Sequence, residues 1–513
     1  LLGLLEKMDD LFLFNATILK NRFDLSQTNI HIKNGIIHSV DFDNIDVINT
    51  QNTQIVDCEG KTILTGFADA HLHLFSYSSS LNQLDVSYPK VKNINQLLNV
   101  ISNSIENSPE DTWILCDGFD EMDLDNQLSL DILDKISKNN PIKINHRSGH
   151  ACFMNSLAMK KLSISTSSED YQRGLIDRDD NGNLTGWFFD MNEQISFLLR
   201  DKNQEKRTEI NISNTLEQLI HMGIFYIHDA SINNDLEKWN ICLEHSSSLQ
   251  FSPSITLLPG IDHLDEFINR GLYFGYKDKD MILGHTKIIV SSISGSIYPN
   301  LNQLSNQISK SHKHGFPVAI HAVTQDEINI TLDALEMVYS KNNHPFRDRI
   351  EHFTEATPEI ITKAKKLGVN LVVNPSFIYQ NGFRYSQRIP KLLQPYTFNY
   401  RTLLDSGFNL AIGSDAPYGN LDPLINIQSM VNRKDQLGNI YNGNQAISII
   451  ESMWLITKGV NNVSTEEIIF EKPSVGDKAN IVILNQNLQN IDHTNVHKLA
   501  IDVVIKDGFR ILS

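Results

Sequence analysis

Apolar residues in this chain come in brief strand-length clusters at both ends and in alternating short and long patterns between them. Clusters at 11–14, 30–32, 35–37 and 53–56 are separated by turns containing Asn and Gly, which predicts a small antiparallel sheet. A matching set at 479–484, 501–505 and 507–511 closes the chain. Two β-rich ends around a different middle predict one small β-sandwich domain, 9–61 with 472–513, because strands left alone would expose open edges.

The middle, 62–74 and 194–471, alternates two periods. Brief apolar runs at 224–227, 287–290, 316–320, 369–373 and 408–412 read as strands. Between them lie helical patterns with start and stop signals. Thr324 and Glu327 form a capping box ahead of Leu332, Leu335 and Val338. Thr357 and Pro358 open another helix and Gly368 ends it. Such alternation points to a parallel α/β architecture. Residues 75–193, with polar stretches and the Gly-containing run from Asp177 to Gly182, break the rhythm and read as an inserted α+β subdomain over one end of the middle domain.

At 513 residues the chain can hold a large catalytic domain with smaller attachments. Hydrophobic content of 41% and charged content of 20% suit a soluble globular protein, and no run approaches the ~18 apolar residues of a membrane helix. A net charge of -17 without Lys/Arg clusters argues against nucleic acid as a partner. Cys58, Cys116, Cys152 and Cys242 show no Cys-x-x-Cys spacing and read as reduced core residues. Glu6, Lys7, Asp9 and Asp10 interrupt the apolar start, unlike a signal-peptide core, so a cytoplasmic enzyme is expected, with Met8 a candidate start.

The run GFADAHLHL at 66–74 changes the picture, because His71 and His73 stand two apart at the end of an apolar, strand-like segment. In a strand such side chains share a side at a separation of about 7 Å, suited to one metal ion. With 18 histidines, chance alone supplies about 0.6 His-x-His pairs, so context must decide. His312 and His314 have the same spacing but follow a polar helical run, where residues two apart do not share a face, and read as a solvated helix end.

Context comes from the ends of the apolar runs. His321 follows 316–320, Glu351 and His352 follow Ile350, and Asp415 follows 409–414. In a (β/α)8 barrel the C-terminal strand ends open onto one face, so His71, His73, His321, His352 and Asp415 would meet there. Imidazoles and a carboxylate suit Zn²⁺ and related ions. Lys287 begins its own apolar run, where a nearby ion would expel an ammonium; carbamylation would turn it into a bridging carboxylate. Two ions about 3.5–4 Å apart could then share a hydroxide of lowered pKa.

The GFADAHLHL run, the His-Ala after FPVAI, IEHF near 350, GSDAP at 413–417 and VGDKANIVIL near the end closely resemble the metal-dependent amidohydrolase superfamily. The chain looks most like its broad third family, which includes N-substituted formamide deformylase-like and exoenzyme-regulatory-type proteins. The insertion joins in through SGHACFMNSLAM at 148–159 and RDDNGNLTGWFFD at 178–190. The resemblance implies a TIM-type barrel and hydrolysis of a non-peptide carbon–nitrogen bond (amide, formamide or cyclic amide) in a small molecule. It also implies two Zn²⁺, with one ion the alternative. His71 and His73 would hold one ion, His321 and His352 the other, and carboxylated Lys287 the bridge. Asp415 would ligate and shuttle the proton, and His150 would contact substrate.

Two departures bear on substrate: a serine stands before Gly295 where the family has aspartate, and Asp190 stands nearest its usual glutamate. His221, His228, His285 and His344 read as structural. The rivals are a mononuclear deaminase of an amidine-like or aromatic ring, and a non-catalytic binding or regulatory protein on the same scaffold. Oligomeric state is open, a homo-oligomer included.

Overall fold

The computed structural model describes residues 6–7, 10–41, 53–121, 128–170, 174–191, 195, 198–199, 202–292, 295–340, 347–464 and 473–511. His344, the serine before Gly295 and the boundaries expected at 9, 193/194 and 471/472 lie outside them. The chain forms two compact units, one of residues 1–74, 212–290 and 299–513, the other of 75–211 and 291–298.

In the first unit the chain ends meet in one nine-stranded sheet. Its order runs Glu6–Lys7, Phe509–Ile511, Ile501–Lys506, Ile481–Leu484, Thr62–Leu64, Asp10–Leu19, Leu25–Lys33, Ile36–Val40, with Gln54–Asp57 paired to the side of Asp10–Leu19. Leu11, Leu13, Ile18, Ile30, Ile32, Ile63, Ile481, Ile483 and Ile505 form its apolar core. Where a sandwich is expected, the described strands of both chain ends form one sheet, continuous by hydrogen bonding. It forks where Leu11–Phe14 pairs with 54–57 and Thr17–Ile18 with 62–63.

Two five-stranded sheets make the rest of this unit. One runs Lys277–Asp278, Met281–Leu283, Ser254–Leu257, Ile224–Asp229, Phe67–Leu72, parallel except at its Lys277 edge. The other is parallel throughout: Thr286–Ile289, Val318–Ala322, Arg349–His352, Asn370–Val373, Leu410–Ile412. The run expected from Phe316 becomes strand only at Val318, because Pro317 has no N–H to give a ladder. Thr324 and Glu327 close their capping box on Gln325–Tyr339; Thr357 caps Pro358–Leu367, and Gly368 ends it at φ +70.

The sheets touch at two flanks. On one, Lys287 N donates to Pro259 O (2.8 Å) and Ile261 N to Lys287 O (3.0 Å). On the other, Asp415 N donates to His71 O (2.7 Å) and His73 N to Ala416 O (2.9 Å). Both flanks carry residues singled out for chemistry.

The second unit holds a six-stranded sheet, Leu175–Arg178, Leu184–Phe189, Ala151–Met154, Ile142–His146, Ile114–Phe119, Leu84–Asp85, with helices Ile94–Glu106, Leu130–Ile136 and Ser156–Lys161. All four cysteines are free and buried, and among the described residues no helix is long and apolar enough to cross a membrane.

Candidate metal centre

His71 is the fifth residue of Phe67–Leu72 and His73 lies just beyond it; Lys287, His321 and His352 sit on three consecutive strands, and Asp415 lies three residues past Leu410–Ile412. Ligating atoms of His71, His73 and Asp415 all lie within 4.8 Å of one another. Asp415 Oδ1 is 3.0 Å from His73 Nε2 and 3.3 Å from His71 Nε2. The His352 ring centroid is 4.9 Å from that of His71 and 4.4 Å from that of His321, so the imidazoles form one contiguous group. His352 and Asp415 adopt φ +71 and +60, a left-handed backbone costly for side chains of this size and held here by the surrounding strands.

Hydrogen bonding fixes which ring nitrogen is available. His71 Nδ1 faces a Glu351 carboxylate oxygen, which can only accept, so Nδ1 carries the proton. Ser231 gives its hydroxyl proton to Asp229 Oδ1 (2.6 Å), so its oxygen accepts from His73 Nδ1 (3.1 Å). Asn374 spends its amide N–H on Gly413 O (3.0 Å), leaving Oδ1 to accept from His352 Nδ1 (2.8 Å). In His71 and His352 the proton on Nδ1 leaves Nε2 its lone pair, the form a metal requires, whereas His73 Nε2 already meets Asp415 Oδ1 at 3.0 Å. Nε2 of His71 and of His352 are buried without a hydrogen-bond partner.

Charge agrees with the geometry. Burial pushes His352 down to about 3 and lowers His73, while His71, which burial alone would lower, is raised by the Glu351 and Asp415 carboxylates. Burial alone would raise Asp415, but the His71 and His73 rings hold it well below the ordinary carboxylate range and ionised. Lys287 is 1% exposed, its Nζ has no hydrogen-bond partner, and burial lowers it to about 8. A buried amine so lowered holds a larger share of the unprotonated form, which CO2 addition requires, than an exposed lysine does. Two histidines and a carboxylate with lone pairs converging, and two buried Nε2 atoms without partners, fit a divalent ion.

Other candidates stand elsewhere. His150 belongs to the second unit, where Nδ1 meets Asp190 Oδ1 (2.7 Å) and Ser291 Oγ donates to Asp190 Oδ2 (3.0 Å). His312 and His314 end the helix Leu301–Lys313 as expected, but His312 is not solvated: its side chain, 7% exposed, pairs with Asp348 at 3.0 Å. His285 bonds Arg347 O (3.0 Å), a structural role. Asp120, Glu121 and His146 of the second unit also cluster, yet Asp120 is already ion-paired with Arg147, which meets its charge internally.

The partners Glu351, Asp229, Ser231 and Asn374 escaped the sequence reading. Arg349 and Glu351 lie two apart in a strand and so share a face. A charged pair at that spacing within a buried run was the available signal. Packing is close here as well: a Cβ at Gly413 would fall 2.4 Å from His71 Cβ and 2.7 Å from His71 N. Gly413→Ala is therefore expected to cost about 1–3 kcal/mol in chemical denaturation and to lower metal content by displacing His71.

The sequence model of the amidohydrolase family matches residues 54–511. N-substituted formamide deformylase of Arthrobacter pascens is 25% identical over 474 residues, covering 85% of this chain and 85% of the relative. Amidohydrolase YtcJ of Bacillus subtilis (strain 168) is 24% identical over 480 residues, covering 89% and 90%. A metal-dependent hydrolase from Pyrococcus horikoshii OT3 shares the fold at TM-score 0.74 and 20% identity, covering 94% of this chain and 99% of that one. With the match spanning most of its length and the ligand-type residues gathered at adjoining strand ends, the chain belongs to the amidohydrolase family.

Proposed function

We propose that this protein hydrolyses a non-peptide carbon–nitrogen bond, an amide, formamide or cyclic amide, in a small molecule. The observation that carries the reading is the convergence of His71, His73 and Asp415, whose ligating atoms all lie within 4.8 Å of one another. His71, His73 and Asp415 would hold one Zn²⁺, His321 and His352 a second, and Lys287, carboxylated, would bridge them. Bound there, the metal supplies Lewis acidity that lowers the pKa of water from about 15.7 towards about 7 and polarises the scissile carbonyl. Asp415, ionised and beside His71 and His73, would take the proton of the attacking water and return it to the leaving nitrogen. His150 is assigned to substrate.

We read the two five-stranded sheets as one (β/α)8 barrel, with Lys277–Asp278 an antiparallel edge outside it and Met281–Leu283 and Thr286–Ile289 two stretches of one stave, supported by the backbone hydrogen bonds at Lys287 and at Asp415. The setting is cytoplasmic and the partner a small molecule, not nucleic acid. The similarity to N-substituted formamide deformylase favours formamides within the amide class. Incubating the metal-loaded protein with N-formyl, N-acyl and cyclic amide libraries should release amine with formate or a carboxylate. Ammonia released only from amidine or aromatic ring substrates, by protein with one ion per chain, would replace this reading with the deaminase.

A further inference from the structure

Behind the ligand cluster runs a buried chain of hydrogen bonds, joined by one ion pair between Arg349 and Glu351, whose direction can be read from one end to the other. Ser464 Oγ donates to Val460 O (2.7 Å), which uses its only proton. The contact between Ser464 Oγ and His228 Nε2 (3.1 Å) must then be donated by the imidazole. That leaves His228 Nδ1 with a lone pair, which accepts from Arg349 Nη1 at 2.9 Å. Arg349 Nη1 also reaches Val463 O (3.3 Å) and Nη2 reaches Ala70 O (3.2 Å), so backbone carbonyls fix the plane of the guanidinium. Arg349 Nε lies 2.6 Å from Glu351 Oε1 in ion-pair contact, and Glu351 Oε2 takes the proton of His71 Nδ1. Ser464, His228, Arg349, Glu351 and His71 are each 0–1% exposed.

We propose that Glu351 is a positioning residue which, oriented by Arg349 and, through it, by His228 and Ser464, holds His71 in the Nδ1–H form and thereby sets the metal affinity of the centre. The inference rests on the reading that His71 is a metal ligand. Four residues that touch no metal, substrate or reacting atom, Glu351, Arg349, His228 and Ser464, thereby gain a role. A neutral imidazole can carry its proton on either nitrogen, and only one choice leaves Nε2 free. On the Nδ1 side, away from Asp415, His71 alone of the three inner rings is fixed by a carboxylate; His73 is held there by a hydroxyl and His352 by an amide oxygen. A carboxylate partner also raises the basicity of the ligating nitrogen. Arg349 prevents Glu351 from turning away, since its other oxygen is already engaged. His228 can accept from Arg349 only because Ser464 takes its Nε2 proton.

The test is Zn²⁺ affinity, measured by competition with a chromogenic chelator, in the full-length protein and in Glu351→Gln and His228→Phe. Glu351→Gln should weaken Zn²⁺ binding about 10–100-fold, the usual cost of losing a partner that orients a ligand. His228→Phe should weaken it less, in the same direction, with every ligand intact. Affinity in Glu351→Gln within twofold of the parent overturns the proposal. Where Glu351→Gln does not fold, ¹⁵N-histidine spectra of the metal-free parent decide, with His71 assigned by its absence in His71→Gln. Nδ1 protonated with Nε2 bare supports the proposal, and a proton on Nε2, alone or as well, overturns it. A parent that binds no Zn²⁺ refutes the functional reading instead, and the tautomer of His71 still reports separately on Glu351.

Discussion

Asp415→Asn is expected to lower kcat by about 10²–10⁴-fold, the usual contribution of a positioned proton-transfer group, while metal per chain stays at the parent value. The two effects separate because asparagine keeps an oxygen where Asp415 Oδ1 stands, 3.0 Å from His73 Nε2 and 3.3 Å from His71 Nε2, but cannot accept a proton as a carboxylate does. The left-handed backbone at position 415 tolerates asparagine better than most residues, so the exchange disturbs the turn little. Steady-state kinetics on whichever amide is turned over, with metal content of the same samples, checks both halves. Unchanged turnover would remove Asp415 from the chemistry. A parent without turnover on any carbon–nitrogen substrate would favour a binding protein on this scaffold.

Arg349→Met is expected to cost about 3–5 kcal/mol in chemical denaturation, because it strands the carboxylate of Glu351 inside the unit with its main counter-charge gone. Both side chains are 0% exposed, and Glu351 is held below the ordinary carboxylate range by Arg349 first and His71 next, against burial that would raise it. The comparison is Lys366→Met. Lys366 Nζ lies 3.8 Å from Glu336 Oε1, but those side chains are 78% and 49% exposed, and such a pair contributes about 0–1 kcal/mol. Similar losses for the two variants would mean that Arg349 is not the counter-charge that burial makes it.

The histidines and Asp415 were legible because each falls at the end of an apolar run, where strand periodicity gives the position meaning, and Lys287 because it opens one. The capping box at Thr324 and Glu327 and the Gly368 stop were legible for the same reason, since both are local signals. What could not be read is what depends on register between distant segments. Glu351 reaches His71 across 280 positions and Asn374 reaches His352 only because neighbouring strands are aligned. His228 looked like an ordinary core histidine, and its place between Ser464 and Arg349 is visible only once the chain has folded. His312 was misread as solvated because helical spacing says which face a residue occupies, not that Asp348 waits beside it. The lysine strand shows another limit: Met281–Leu283 and Thr286–Ile289 fall in different sheets on either side of Gly284 and His285, a break that the apolar pattern does not signal.

The most direct measurement is anomalous diffraction from crystals of the purified protein, collected on both sides of the zinc absorption edge. A peak contacted by His71 Nε2, His73 Nε2 and an Asp415 oxygen, with a second near His321, His352 and Lys287, is the predicted result. His71, His73 and Asp415 well ordered around an empty centre in zinc-supplemented crystals would contradict it.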